Sequence, residues 1–300
     1  MRIVETTAKS IIIDSNLPSV DFVANPYTGC AFGCAYCYAS FMGRAVKESN
    51  AAWGEYVYVK TNAVELADGQ LARMPERKRH GTLLMSSVTD AYQGAERKYR
   101  LARGILGKLV EHGYPGKVSI LTKSPIVTRD TDLLLALPHS EVGMTVTSTD
   151  DKVSRWLEVR APVASRRLRT LSELHAAGVA TYAFIGPLLP HFATSPELLD
   201  TLLGRIADAG VPEIFVEHIN LKRYIRDRMA TVLHDQPDEV REAYVTARAD
   251  DHRRRLDAIL APLLKRHGLR LRLNKVIYHD ELTTDDRGSG RVRPPSRSRS

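Results

Sequence analysis

Cysteine is scarce in this chain: three in 300 residues, all between positions 30 and 37. An odd count packed into eight residues excludes a disulfide framework and points to a reducing compartment, here expected to be the cytoplasm. No run of 18 apolar residues occurs, so no membrane-spanning helix is expected. Met1 to Asp14 lacks the charged-then-apolar pattern of a signal peptide. No internal repeat recurs at a fixed period. Acid is missing from positions 287–300, where Arg287, Arg291, Arg293, Arg297 and Arg299 stand among Gly, Ser and Pro. Such a segment has too little apolar surface to fold and reads as a disordered tail. The net charge is +8, but without the tail 38 basic residues face 35 acidic ones. The body is close to neutral, so any expectation of nucleic-acid binding rests on the tail.

What is present is a 43% hydrophobic chain, enough for one large α/β domain with an appendage. Strand-like runs are Val20–Val23, Thr82–Met85, Val118–Leu121, Val142–Thr147, Val179–Ile185 and Ile214–Val216. Helical periodicity lies between them: Leu101, Ile105, Leu106, Leu109 and Val110; then Leu168, Leu171 and Leu174 before Gly178; then Leu198 to Ile206, opened by Ser195-Pro196 and closed near Gly210. Several strands are apolar on both faces, as parallel strands covered by helices are. The series predicts a partial (βα)6 TIM-like barrel over about residues 18–220, preceded by an N-terminal segment, 1–17. A C-terminal helix–strand extension, 221–286, follows. In it Asp238–His267 reads as one long charged helix and Leu269–Ile277 as a late strand.

The cysteines stand in Asn25-Pro-Tyr-Thr-Gly-Cys30-Ala-Phe-Gly-Cys34-Ala-Tyr-Cys37-Tyr38, a C-x3-C-x2-C spacing. Short loops that bring several thiolates together bind iron–sulfur clusters, and three ligands leave one iron open to chelate a small molecule. Gly29 and Gly33 ease the tight wrapping. The loop follows the first apolar strand, at the strand end where βα barrels gather their active sites. Structural zinc wants four ligands, and the next histidine, His80, is 43 residues beyond Cys37. Three inert buried cysteines would not need this spacing.

The loop, with an aromatic residue before its last cysteine, is similar to that of the radical S-adenosylmethionine superfamily. The chain further resembles the branch containing spore photoproduct lyase and DNA repair photolyase-like relatives. The matching pieces are 25–39, SSVTDAYQ at 86–93, LTKSPIVTRDTDLL at 121–134, VTSTDDKVSRWLEVRAP at 146–162 and 168–190. The resemblance implies a [4Fe–4S] cluster on Cys30, Cys34 and Cys37 and S-adenosylmethionine at the open iron. It also implies reductive cleavage to a 5′-deoxyadenosyl radical that takes hydrogen from substrate, fed by an electron donor such as flavodoxin or ferredoxin. Whether the outcome is that of a lyase, an oxidoreductase or a transferase stays open.

Polar residues that follow apolar runs are candidate contacts: Thr89 and Asp90, Lys123, Thr147 and Ser148. The resemblance places Thr89, Lys123 and Ser148 among the ligands of S-adenosylmethionine, with Lys123 suited to its carboxylate. Thr89 and Ser148 are equally good helix caps. Tyr36 is expected beside the adenine, and Phe184 and Ile185 as walls of the adenosine, unless they are plain core. His218, with Asn220 and His191, ends or follows late strands and can reach substrate. Tyr92 and Tyr38 are candidate radical relays or packing residues. Glu158 and Arg160 fall in a stretch resembling the family's Glu-Pro-x-Ala-Pro pattern, here without its first proline.

One departure narrows the substrate. Spore photoproduct lyase depends on a further cysteine as hydrogen donor, and the matching position here is Val88, which has no weak X–H bond. With all three thiols assigned to one cluster, repair of spore photoproduct and an auxiliary cluster are both disfavoured. The expectation is a small-molecule substrate such as a nucleoside, amino acid or natural-product intermediate. The alternatives are a nucleic-acid modifying enzyme, a non-enzymatic redox or iron sensor, and cleavage of a different C–S bond that releases a 3-amino-3-carboxypropyl group.

Overall fold

A computed structural model of the chain describes residues 1–193, 195–247 and 249–279. Its centre is an eight-stranded sheet. Six strands follow one another in chain order and pair in parallel: β3 (Phe22–Ala24), β6 (Leu83–Met85), β7 (Val118–Thr122), β8 (Ser140–Thr145), β9 (Ala180–Leu188) and β10 (Glu213–His218). The short β2 (Ile12–Asp14) lies antiparallel on the β3 edge, and β11 (Arg270–Leu271) lies parallel on β10. This is the expected partial (βα)6 barrel with its extension strand.

Helices follow these strands and cover one face of the sheet. Their apolar stripes account for this: Leu168, Leu171 and Leu174 are buried in the helix Ala164–Ala176, and Leu199, Leu202, Leu203 and Ile206 in Pro196–Asp208. The strand residues beneath them, among them Ile120, Val142, Met144, Ala183, Ile185 and Val216, have no exposure. Because side chains alternate along a strand, their neighbours line the other, inner face. Cross-strand pairing sets Val23 beside Leu84, Leu84 beside Ser119, Leu121 beside Gly143, and Phe184 between Thr145 and Phe215. Val23, Leu84, Leu121, Phe184 and Phe215 remain partly exposed there. The inner face is therefore an open, largely apolar wall.

The floor of that space is polar and closed. Arg272, just beyond β11, donates to both Glu141 oxygens at 2.6 and 3.0 Å and lies over the Tyr182 and Phe215 rings. Lys117 pairs with the same carboxylate at 2.8 Å. Gly143 makes room for the Tyr182 ring, which would meet a Cβ at 2.1 Å.

Two expectations are corrected. The single helix over Asp238–His267 is two, Asp238–Thr246 and Asp250–Arg266. Asp250 and Asp251 stand in the first turn of the second, where carboxylates suit a helix N-terminus. The late strand over Leu269–Ile277 shrinks to β11 and one bridge between Glu217 and Ile277. A second sheet was not anticipated: β5 (Tyr56–Lys60) pairs parallel with β1 (Arg2–Thr6) and antiparallel with β4 (Tyr27–Thr28). It braces the cysteine loop from behind. The tail 287–300 lies outside the described residues.

Candidate active site

The cysteine loop runs from β4 into the short helix Tyr38–Val46, at the C-terminal mouth of the barrel. Cys30 and Cys34 are buried, Cys37 is partly so, and none forms a disulfide. Gly29 carries φ +87°, and a Cβ there would stand 2.5 Å from the Tyr56 carbonyl oxygen, so glycine is required where the loop crosses β5. Gln93 holds the loop from the other side. Its Oε1 accepts from the Ala31 N–H at 2.8 Å and its Nε2 donates to the Gly29 carbonyl at 3.2 Å.

Burial pushes all three thiols up, Cys34 to about 12, with Lys123 drawing Cys34 and Cys37 the other way. Bare thiols in this setting stay protonated, and a cationic metal group would supply the charge that makes them ligands. Among the described residues no three His, Cys, Asp or Glu side chains converge on a single-ion site. Thiolates around an iron–sulfur cube each meet a different iron, so convergence is not required of them. Three free, soft donors on one buried loop therefore fit such a cluster.

The expected site residues separate into those beside the thiols and those elsewhere. Lys123 stands with its ammonium 5.7 Å from the centre of the Tyr36 ring. Burial works against that ammonium, but Cys34 as a thiolate and Glu158 outweigh it and raise its pKa. Asp90 supports Lys123 from below, accepting from the Lys123 N–H at 2.8 Å, the Thr122 hydroxyl at 2.7 Å and the Tyr92 N–H at 2.9 Å. Thr89 donates to the Gly29 carbonyl at 2.6 Å. Thr147 reaches Glu158 at 3.4 Å, and the Ser148 hydroxyl accepts from the Asp150 N–H at 3.0 Å, a local turn. Phe184 faces the inner wall, its ring lying where a Cβ on Gly186 would fall 1.8 Å from Cε1.

Ile185, Tyr92 and His218 lie apart from the thiols. Alternation along β9 turns Ile185 to the helix-facing side, fully buried. Tyr92 is buried in the field of Asp130, Glu96 and Arg129. His218 packs on Tyr278 and His252, and burial, then Arg253 and the neighbouring histidines, lowers its pKa to about 4. His191 packs among Trp156, Phe192 and Tyr244. Val88 donates its N–H to Asn25 Oδ1 at 3.1 Å and packs on the core. The Tyr38 hydroxyl donates to the Ser87 carbonyl.

Arg167, Gln93, Asn25, Glu217, His279 and Arg228 were not singled out from the sequence, and Glu158 was named there without a role. The Tyr36 hydroxyl donates to Glu158, which is paired with Arg167; both members of the pair are wholly buried. Arg167 also donates to the carbonyls of Pro162 at 2.6 Å and Thr145 at 3.1 Å. Glu217, on the inner side of β10, pairs with His279 at 2.7 Å and acts on Cys37 and Tyr38. Arg228 donates to the Cys34 carbonyl at 2.9 Å. Glu158, Gln93 and Asn25 fall within the motif stretches, which was their only signal; Glu217, His279 and Arg228 had none.

A family model described as the Radical SAM superfamily matches residues 24–202. An uncharacterized protein of Methanocaldococcus jannaschii is 34% identical over 190 residues, 63% of this chain and 69% of that protein. An uncharacterized protein of Mycobacterium tuberculosis is 32% identical over 205 residues, 67% of this chain, and the match spans only 59% of its length. Among solved structures, a spore photoproduct lyase complexed with dinucleoside spore photoproduct superposes with TM-score 0.66, at 13% identity, over 90% of this chain and 81% of that one. SuiB of Streptococcus suis bound to S-adenosylmethionine gives 0.51 at 12% identity, over 86% of this chain and 46% of that one. At such identities the structural likeness speaks for the fold alone.

Proposed function

The chain belongs to the radical S-adenosylmethionine superfamily, an enzyme family whose cofactors are a [4Fe–4S] cluster and S-adenosylmethionine, and from that premise we propose that Cys30, Cys34 and Cys37 hold the cluster for hydrogen abstraction from a small molecule. Held by these three thiolates, a [4Fe–4S] cluster would supply the single electron for reductive cleavage of S-adenosylmethionine at its C5′–S bond, and with it the means of hydrogen abstraction from substrate. A reductant and a substrate are required partners. Flavodoxin or ferredoxin suits the first role.

The residues of this chain divide the remaining work. The Lys123 ammonium binds the methionyl carboxylate beside Cys34. Tyr36, held by Glu158, borders the adenine. Thr89, Gln93 and Asp90 act one step back, fixing the loop backbone and Lys123. Phe184 and Phe215 form the wall against which adenosine or substrate lies, so that a bound ligand displaces water from it.

The observation that carries this reading is the Lys123 ammonium directed at a loop of three unbridged thiols, over an open wall of Leu84, Leu121, Phe184 and Phe215. That wall is largely apolar, and the basic groups of its floor, Lys117 and Arg272, are both paired with Glu141, which suits a small organic molecule better than a phosphate backbone. The test is anaerobic reconstitution with iron, sulfide, reductant and S-adenosylmethionine. Methionine and 5′-deoxyadenosine are the expected products, and Cys34→Ala is expected to lose both cluster colour and cleavage. Methylthioadenosine in place of 5′-deoxyadenosine would instead indicate transfer of the 3-amino-3-carboxypropyl group. A coloured, reducible protein that cleaves nothing would indicate a sensor.

A further inference from the structure

Arg228 lies outside the residues matched by the family model, on the helix Arg223–Leu233 that follows β10. That helix is fastened at three points. The Trp156 indole donates to the Val232 carbonyl at 2.7 Å, the Tyr224 hydroxyl to the Tyr38 carbonyl at 3.0 Å, and Arg228 Nη2 to the Cys34 carbonyl at 2.9 Å. Two of the three fall on the cysteine loop. Arg228 Nη1 is buried with no acceptor among the described residues. A buried guanidinium nitrogen without a partner is costly, and it persists where another group completes it. Apart from burial, the strongest influences on the guanidinium are Cys37 and Cys34.

We propose that Arg228 tunes the cluster: its fixed positive charge, held on the Cys34 carbonyl with a second, unpartnered N–H, raises the cluster's reduction potential and eases entry of the electron. This rests on the assignment of the cluster to Cys30, Cys34 and Cys37. The step is a one-electron reduction by an external reductant, with no proton or leaving group involved. Adding an electron makes the cluster more negative, and a nearby cation in a poorly hydrated site stabilises that state more than the oxidised one. A cation 194 residues along the chain from Cys34 does this without occupying a ligand position.

The measurement is a redox titration of the reconstituted full chain, following the paramagnetic reduced cluster by EPR, with iron and sulfide content determined alongside. At a fixed potential, Arg228→Gln and Arg228→Met are each expected to lower the ratio of reduced to oxidised cluster about tenfold, or about 59 mV for one electron. Arg228→Lys is expected to recover most of it, because lysine keeps the charge. Neutral variants that titrate with the wild type overturn the proposal, as does a lysine variant shifted as far as they are. If neither neutral variant holds a cluster, retention in Arg228→Lys still supports a requirement for charge, and loss in all three overturns it in favour of packing alone. Wild-type protein that assembles no cluster is a different failure, and refutes the underlying assignment.

Discussion

Glu158 and Arg167 form an ion pair with no exposure at either side chain, and the Tyr36 hydroxyl closes on the same carboxylate. A buried pair of this kind is conditional: either partner alone leaves a charge without compensation. Glu158→Gln is expected to cost about 3–5 kcal/mol in denaturant unfolding. Tyr36→Phe, which spares the pair, should cost about 1.5–3 kcal/mol, the scale of one hydrogen bond to a charged group. Burial pushes the Glu158 carboxyl up, but Arg167 and Lys123 outweigh it and hold it below the ordinary range. The folded pKa is thus depressed, so the pair's contribution is full above the unfolded value and is lost as pH falls through the folded one. Below about pH 4 the wild type should lose stability more steeply than Glu158→Gln, as acid unfolding curves would show. At this scale the sequence was legible where a polar residue follows an apolar run. Lys123 and Thr89 announce themselves that way. Arg228 does not, because nothing near it in the chain distinguishes it from Arg223 or Arg226, and only the helix's docking selects it.

Elements show the same division. The six parallel strands were readable because both faces are covered or walled, which leaves apolar runs such as LLM. The three-stranded sheet was not. Its β4 is two residues hidden in the cysteine motif, and β1 pairs with β5 in the register Arg2↔Tyr56, across more than fifty residues and without apolar continuity. Yet this sheet bears on the chemistry through Gly29. Gly29→Ala combines a left-handed backbone with a Cβ pressed against the Tyr56 carbonyl and ring. The expected cost is about 1–3 kcal/mol from overpacking, with iron content after reconstitution falling well below one cluster per chain. Wild-type iron loading of Gly29→Ala would show that β5 does not constrain the loop. Alternation likewise explains why adjacent candidates part company: Phe184 meets the inner wall and Ile185 the helices.

At the scale of the whole molecule, the C-terminal extension touches both ends of the barrel. Arg228 caps the cysteine loop and Arg272 closes the floor. Its helices contribute Ile225, Met229, Leu256, Leu260 and Leu264 to the same buried cluster that begins at Ile11. The charge balance separates from this body, since five of the 43 basic residues lie in 287–300. Deleting 287–300 is expected to leave S-adenosylmethionine cleavage unchanged, and to abolish any salt-sensitive retention of DNA or RNA by the full chain. Tight binding by the shortened chain would move the substrate question back to nucleic acid. No described helix is long and apolar enough to cross a membrane.

The three thiols, confined to one loop and unbridged, have a practical corollary. No other sulfhydryl exists in the chain to blur a titration. A thiol reagent added to the metal-free chain in denaturant counts three per molecule, and iron retained per three thiols then measures occupancy, whereas in the native fold Cys30 and Cys34 are buried from the reagent with or without metal. The protein thus carries its own gauge of occupancy, readable without turnover and without knowing the substrate.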